Sequence, residues 1–239
     1  MATKPILFTA WSVRAILAGH KTQTRRVAKP QPTLQDNGFW ELRRDKHFFD
    51  PRDGKAVSVI RTNALDYLGD ALVGIAPYQV GDVLWVRENL IMCGEVDTGA
   101  AWLAYAADNR DVCCTREQDQ WAKDYDAPVQ NGGLTYFKTI PSIHMPKWAC
   151  RLFLRVTEVR AQRVQDISHE DALAEGCFGT DWVEGTPHIT GPHTDAGVLP
   201  VEEYESVWDR LNAKRGHPWS QNHWAWAYTF EQAEKPEDF

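Results

Sequence analysis

The sequence predicts an α+β domain, most simply a small mixed β-barrel with short helices packed around it. Short runs rich in Val, Leu and Trp recur along the chain, bounded by Gly, Pro and Asp, which are strand signals. Between them lie apolar stripes at helical spacing, opened by Ser or Pro and closed by Gly. The 239 residues, 43% hydrophobic and 25% charged, suffice for a core that needs neither disulfide nor metal. Eleven Trp, nine Phe and seven Tyr exclude disorder as the dominant state.

Residues 5–9 read as the first strand. A helix over 11–18 follows, with Ser12 as its cap, Val13, Ile16 and Leu17 as its apolar face and Gly19 as its end. Residues 30–80 hold scattered Pro, Gly and charge and read as an insertion, with at most a hairpin over 40–49 and a small helix near 64–72. Gly81-Asp82 makes a turn into a core strand, Val83-Leu84-Trp85-Val86. Residues 101–106 form another strand, and the polar stretch 108–131 a surface loop or partial helix. Leu152, Leu154 and Val156 alternate through a clear strand over 151–160. Residues 168–175 form a short helix capped by Ser168, with Asp171 at the capping-box position and Gly176 as the stop. Residues 179–197 read as a loop. Pro200 opens a helix with Tyr204, Val207, Trp208 and Leu211 on one face. A closing strand spans 224–230, and 231–239 read as a frayed tail.

Several function classes drop out. No stretch approaches the roughly 20 apolar residues of a membrane helix. Met1–Pro5 leads into no apolar signal core, so a cytoplasmic protein is expected. The five cysteines are odd in number and contain no CxxC pair, which argues against a secreted disulfide framework. Cys113, Cys114 and His144 are the only residues suggesting zinc, and adjacent cysteines point apart; no metal or cofactor is expected. The net charge of −7 speaks against a protein that coats nucleic acid. Yet the first 35 residues carry six basic residues and no acid, leaving −13 for the rest. A basic site on an acidic body suits a small anionic ligand or a short piece of nucleic acid.

The polar run His20-Lys21-Thr22-Gln23-Thr24-Arg25-Arg26 is the chemically interesting segment. It gathers cationic donors and hydroxyls within a few residues. Two readings stand: a solvated basic loop, or an anion or carbonyl site with a hydroxyl nucleophile. No GxSxG elbow, Walker loop or GxGxxG accompanies it.

Gly19-x-Lys21-x-x-Thr24-x-Arg26 resembles the signature of ASCH domains, of the PUA-like superfamily. The resemblance runs on through Gly81–Glu88, the strand 151–159, Ile167-Ser168-x-x-Asp171-Ala172-x-x-Glu175-Gly176, and Trp224-Ala225-Trp226. Chains with His144-Met145-Pro146-x-Trp148-Ala149 resemble the long, phage or prophage ASCH proteins. The resemblance implies a single PUA-like mixed β-barrel domain over 1–230, with insertions near 30–80, 107–132 and 178–200. One branch of that family hydrolyses the amide of N4-acetylcytidine with a Lys, a Thr and a Glu, which match Lys21, Thr24 and Glu175 here.

The implied function is a metal-independent amidohydrolase acting on N4-acetylcytidine or a related acylated pyrimidine nucleoside. Thr24 would be the nucleophile, Lys21 its base and Glu175 the proton shuttle. Burial and the neighbouring Arg25 and Arg26 would depress the Lys21 pKa. Arg26 would hold a carbonyl or phosphate; Arg25, Trp85, Arg87, Glu88, Tyr105 and Trp224 complete the candidate substrate-binding set. Two alternatives from other classes are a PUA-like binder of RNA or modified nucleic acid without activity, and an ASCH-type ribonuclease. The expected partner is a modified nucleoside or short single strand, with no membrane.

Overall fold

The computed structural model describes residues 3–49, 52, 55–95, 100–112, 136–178, 180–183, 186–189 and 199–239. The chain begins with β1 (Thr3–Leu7), α1 (Ala10–Leu17), β2 (Gln23–Val27), β3 (Thr33–Leu34), β4 (Trp40–Phe49), β5 (Ala56–Thr62) and α2 (Leu65–Gly74). Next come β6 (Val83–Arg87), β7 (Leu90–Glu95), β8 (Ala100–Tyr105), β9 (Tyr136–Ile140) and β10 (Phe153–Arg163). It ends with α3 (His169–Ala174), β11 (Thr180–Val183), β12 (Thr186–Ile189), α4 (Pro200–Asn212) and β13 (Trp224–Ala233). The class is α+β. Among the described residues no sheet closes into the expected barrel. No described helix is long and apolar enough to cross a membrane.

Contacts divide the chain into two compact units, each made of separated segments. The first comprises Met1–Gly19, Val83–Arg155 and Gln232–Phe239, the second His20–Asp82 and Val156–Glu231.

In the first unit β1 runs parallel to β6, Thr3 opposite Val83, and the start of β10 pairs antiparallel with β6. The α1 cap is Thr9, not Ser12: the Ser12 N–H donates to Thr9 Oγ1 at 3.2 Å, so the helix starts earlier than its apolar stripe suggested. β7 pairs antiparallel with both β8 and β9. Leu90, Met92, Leu103 and Ile140 from these strands join Trp85 and Phe153 in one core. The C-terminal residues do not end free. Phe239 packs edge-on against Trp85 and Phe153, with centroids 5.7 and 4.8 Å away.

The second unit contains the segment 30–80, read from the sequence as an insertion, whose described residues carry β3, β4, β5 and α2. β4 and β5 form an antiparallel hairpin with a register shift between Arg43 and Phe48, and β3 pairs with β4. Leu42 and Ile60 from the hairpin and Leu68 and Leu72 from α2 are fully buried. β11 and β12 pair as a hairpin where a loop was expected. The polar run after Gly19 becomes β2, antiparallel to β13 with Thr24 opposite Tyr228 and Arg26 opposite Trp226. The expected segment 108–131 lies largely outside the described residues, as do Cys113 and Cys114.

Candidate functional site

Strand geometry sorts the polar run by face. Successive side chains of a strand point to opposite sides. Gln23 and Arg25 therefore share one side of β2, and Thr24 and Arg26 share the other. The hydrogen bonds agree: Arg25 Nη1 donates to Gln23 Oε1 at 2.5 Å, and Arg26 Nη1 to Thr24 Oγ1 at 2.7 Å.

The Gln23/Arg25 side meets α3. Lys21 Nζ donates to the Glu175 carboxylate at 2.5 Å and to the Glu175 backbone carbonyl at 2.8 Å. Glu175 is the C-cap of α3, so the ammonium also satisfies a carbonyl that the helix leaves open. The Thr22 N–H caps the next one, donating to the Ala174 carbonyl at 2.8 Å. Arg25 Nη2 pairs with Asp171 at 2.6 Å, and its Nη1 lies 3.4 Å from Glu175. Gln23 and Arg160 also donate to Asp171, at 3.0 and 2.9 Å. The Tyr204 ring of α4 lies 5.8 Å under the Arg25 guanidinium. Lys21, Arg25 and Glu175 are each only 4% exposed. Three cations, Lys21, Arg25 and Arg160, thus share two carboxylates inside the second unit.

Burial acts on these groups unevenly. It lowers the Lys21 pKa below the usual lysine value of 10.5; the Glu175 carboxylate works against that shift and the Arg26 charge adds to it. Burial alone would raise Asp171, but hydrogen bonds from Arg160 and Gln23 and the charges of Arg25 and Arg160 leave it below its usual 3.8. Tyr204 is held well above 10, by burial first and the Glu175 charge second. Burial also raises the Cys177 thiol.

The Thr24/Arg26 side borders a cavity of about 440 Å³, lined among others by Arg26, Lys29, Tyr78, Trp226 and Tyr228. Thr24 is 1% exposed, and among the described residues its hydroxyl bonds Arg26 rather than Lys21 or Glu175. The structure therefore brings Lys21, Arg25 and Glu175 together, and Thr24 and Arg26 together, in two clusters on β2. Asp171, Gln23, Arg160 and Tyr204 were missing from the expected set. Asp171 had a signal: it stands four residues before Glu175, so both carboxylates share a helix face.

The remaining candidates take other roles. Trp224 is 5% exposed, with the Arg163 guanidinium 5.0 Å from its ring, and lines a groove with Trp40. In the first unit Trp85 belongs to the core. The Arg87 guanidinium lies 5.3 Å from the Trp85 ring and donates to the Ile143 carbonyl. Glu88 pairs with Arg151, not with Arg87: Arg151 donates through Nε and Nη2 at 2.8 and 3.0 Å. The same guanidinium reaches Asp108 at 2.9 Å and lies 3.7 Å from the Tyr105 ring, whose hydroxyl donates to the Ala149 carbonyl. Burial raises Tyr105 to about 12 and Glu88 above 4.5, so these groups read as a buried network.

Among the described residues no three His, Cys, Asp or Glu are grouped to hold a metal ion. No protein-family model, curated protein or solved structure matches the chain.

Proposed function

We propose that the chain is an ASCH-type, PUA-like protein that hydrolyses the amide of an N4-acylated cytidine or a related modified pyrimidine. The observation that carries this reading is the Lys21–Glu175 contact: residues far apart in sequence meet at 2.5 Å in a buried site that lowers the lysine's pKa. A lysine depressed in this way is neutral at lower pH than usual, which suits a general base. Thr24, three residues on, has its hydroxyl polarised by Arg26. In the proposed reaction Thr24 Oγ attacks the acyl carbon while its proton passes to neutral Lys21. The C–N bond then breaks, the amine leaves with a proton relayed through Glu175, and water hydrolyses the Thr24 ester. Because Thr24 bonds Arg26 here, the reading requires substrate to displace that contact and bring Thr24 and Lys21 together.

The test is chromatographic: purified protein with N4-acetylcytidine and a panel of acylated pyrimidines, watched for deacylated product. Product that vanishes in Thr24→Ala and in Lys21→Met supports the reading. Unchanged turnover in both overturns the site, and no product across the panel overturns the activity. A second reading, a binding module without catalysis, is favoured by one observation: Lys21, Arg25, Asp171 and Glu175 already satisfy one another, on the side of β2 away from Thr24. Ligand binding without product separates the two.

A further inference from the structure

We infer that the cavity on the Thr24 side of β2 is a nucleotide site, built for a pyrimidine ring together with a phosphate rather than for an uncharged nucleoside. The inference takes its location and its pyrimidine base from the reading above; the phosphate is what the cavity's own walls add.

At about 440 Å³ the cavity falls within the size range of single-ligand pockets. Its walls are of two kinds. Tyr78, Trp226 and Tyr228 supply aromatic surface, with the Tyr78 and Tyr228 rings edge-on at 5.1 Å. Aromatic walls suit a planar base, because every base offers a π-face. Arg26 and Lys29 supply positive charge, and none of the lining residues is acidic. The Lys29 side chain is exposed, and no ion pair holds it among the described residues. A nucleoside has no charge to meet the Lys29 ammonium; a phosphate monoester does.

A third feature points to the base. Tyr228 is fully buried; the Tyr78 backbone lies against its hydroxyl oxygen, and among the described residues its O–H has no acceptor. A buried O–H without an acceptor costs about 1–3 kcal/mol in general, and a pyrimidine carbonyl or ring nitrogen entering the cavity would supply one. The basic first 35 residues thus acquire a use: they bring Arg26 and Lys29 to one wall of an aromatic pocket on an otherwise acidic protein.

The phosphate has two sources, a free mononucleotide or a short strand. Isothermal titration of the full chain with cytidine, cytidine 5′-monophosphate and a short oligocytidylate tests both. The monophosphate is expected to bind at least about tenfold tighter than cytidine at low salt. Lys29→Ala should erase most of that advantage and Lys29→Arg restore it. An oligonucleotide that binds more tightly than the monophosphate identifies a strand as the source; one that does not identifies the free nucleotide. Equal affinities for cytidine and its monophosphate overturn the inference. So does a monophosphate affinity that Lys29→Ala leaves unchanged, or no binding by any of the three. Because binding is read without turnover, an inert protein that prefers the monophosphate sinks only the hydrolase reading. A hydrolase that turns over N4-acetylcytidine and its monophosphate equally well sinks only this one.

Discussion

Glu175→Gln isolates the charge at the centre of the β2–α3 network. The amide keeps the size of the side chain, and the residue's backbone carbonyl still accepts from Lys21 at 2.8 Å. What disappears is the charge compensating Lys21 at 2.5 Å and, more weakly, Arg25 at 3.4 Å. Removing one partner of a buried ion pair costs about 3–5 kcal/mol. Arg25 retains Asp171 at 2.6 Å, so the loss falls mainly on Lys21 and the low end applies, about 3 kcal/mol. At about 2–4 °C per kcal/mol for a chain of this size, the midpoint of thermal unfolding should fall by about 6–12 °C. The pH dependence follows from the direction of the Lys21 shift. Its folded pKa lies below 10.5, so between the two values the unfolded chain binds more protons and stability rises with pH. Losing Glu175 depresses Lys21 further and widens that window, so the penalty should shrink as pH rises toward the folded wild-type pKa of Lys21. Urea unfolding followed by circular dichroism, in a cycle with Lys21→Met, should give a coupling energy of about 2 kcal/mol or more. A loss below about 1 kcal/mol, the range of exposed pairs, or a penalty indifferent to pH, would refute the reasoning.

Arg151→Lys should destabilise the protein by about 2 kcal/mol or more, because a point charge cannot bridge Glu88 and Asp108 as the guanidinium fork does; denaturant midpoints for the two proteins decide it. Asp171 is depressed below 3.8, so its stabilisation is complete above that value and is lost as pH falls through the lower folded value. The stability gap between wild type and Asp171→Asn should accordingly be flat near neutrality and narrow in acid, and a gap that does not narrow as pH falls below 3.8 rejects the assignment. Gly69 lies inside α2, where an added Cβ would meet the Ala161 carbonyl oxygen at 3.7 Å, an ordinary contact. Gly69→Ala should therefore stabilise by up to about 1 kcal/mol, read as a higher melting temperature.

Elements that alternate or carry an apolar stripe were legible in the sequence. β6, β10, α4 and β13 lie close to where Val/Leu/Trp periodicity puts them, because burial of one face or both drives them. β2 was illegible for the opposite reason. Gln23, Thr24 and Arg25 are buried polar residues in a strand, and what holds them there is pairing with β13 on one hand and carboxylates from α3 on the other. No local pattern announces compensation by residues some 150 positions away. The same blindness explains the candidate site. Lys21, Thr24 and Glu175 are recognisable as a motif, but a motif does not say which face a side chain takes. Once 23–27 is known to be a strand, the division between Gln23/Arg25 and Thr24/Arg26 follows from its period of two. Glu88 shows the same effect on a smaller scale: its partner is Arg151, 63 positions away, which no local pattern indicates.

The two readings of Lys21 make opposite demands on one proton. As an ion-pair partner it must stay charged over the range in which the protein is folded; as a general base it must be neutral when substrate is bound. Burial pushes it toward the neutral form and Glu175 pulls it back, so its folded pKa reflects a contest that substrate can tip. Turnover by a Lys21 base should rise with pH and level off at that pKa. Wild-type stability should begin to rise at the same point, because the folded protein and the pH–rate profile of the free enzyme titrate the same ammonium. In Lys21→Met the corresponding rise in stability should vanish together with turnover. A rate profile whose ascending limb stays in place in Lys21→Met, or sits at a pH where stability does not change slope, would assign the base elsewhere and leave Lys21 as the cap and counter-ion of α3.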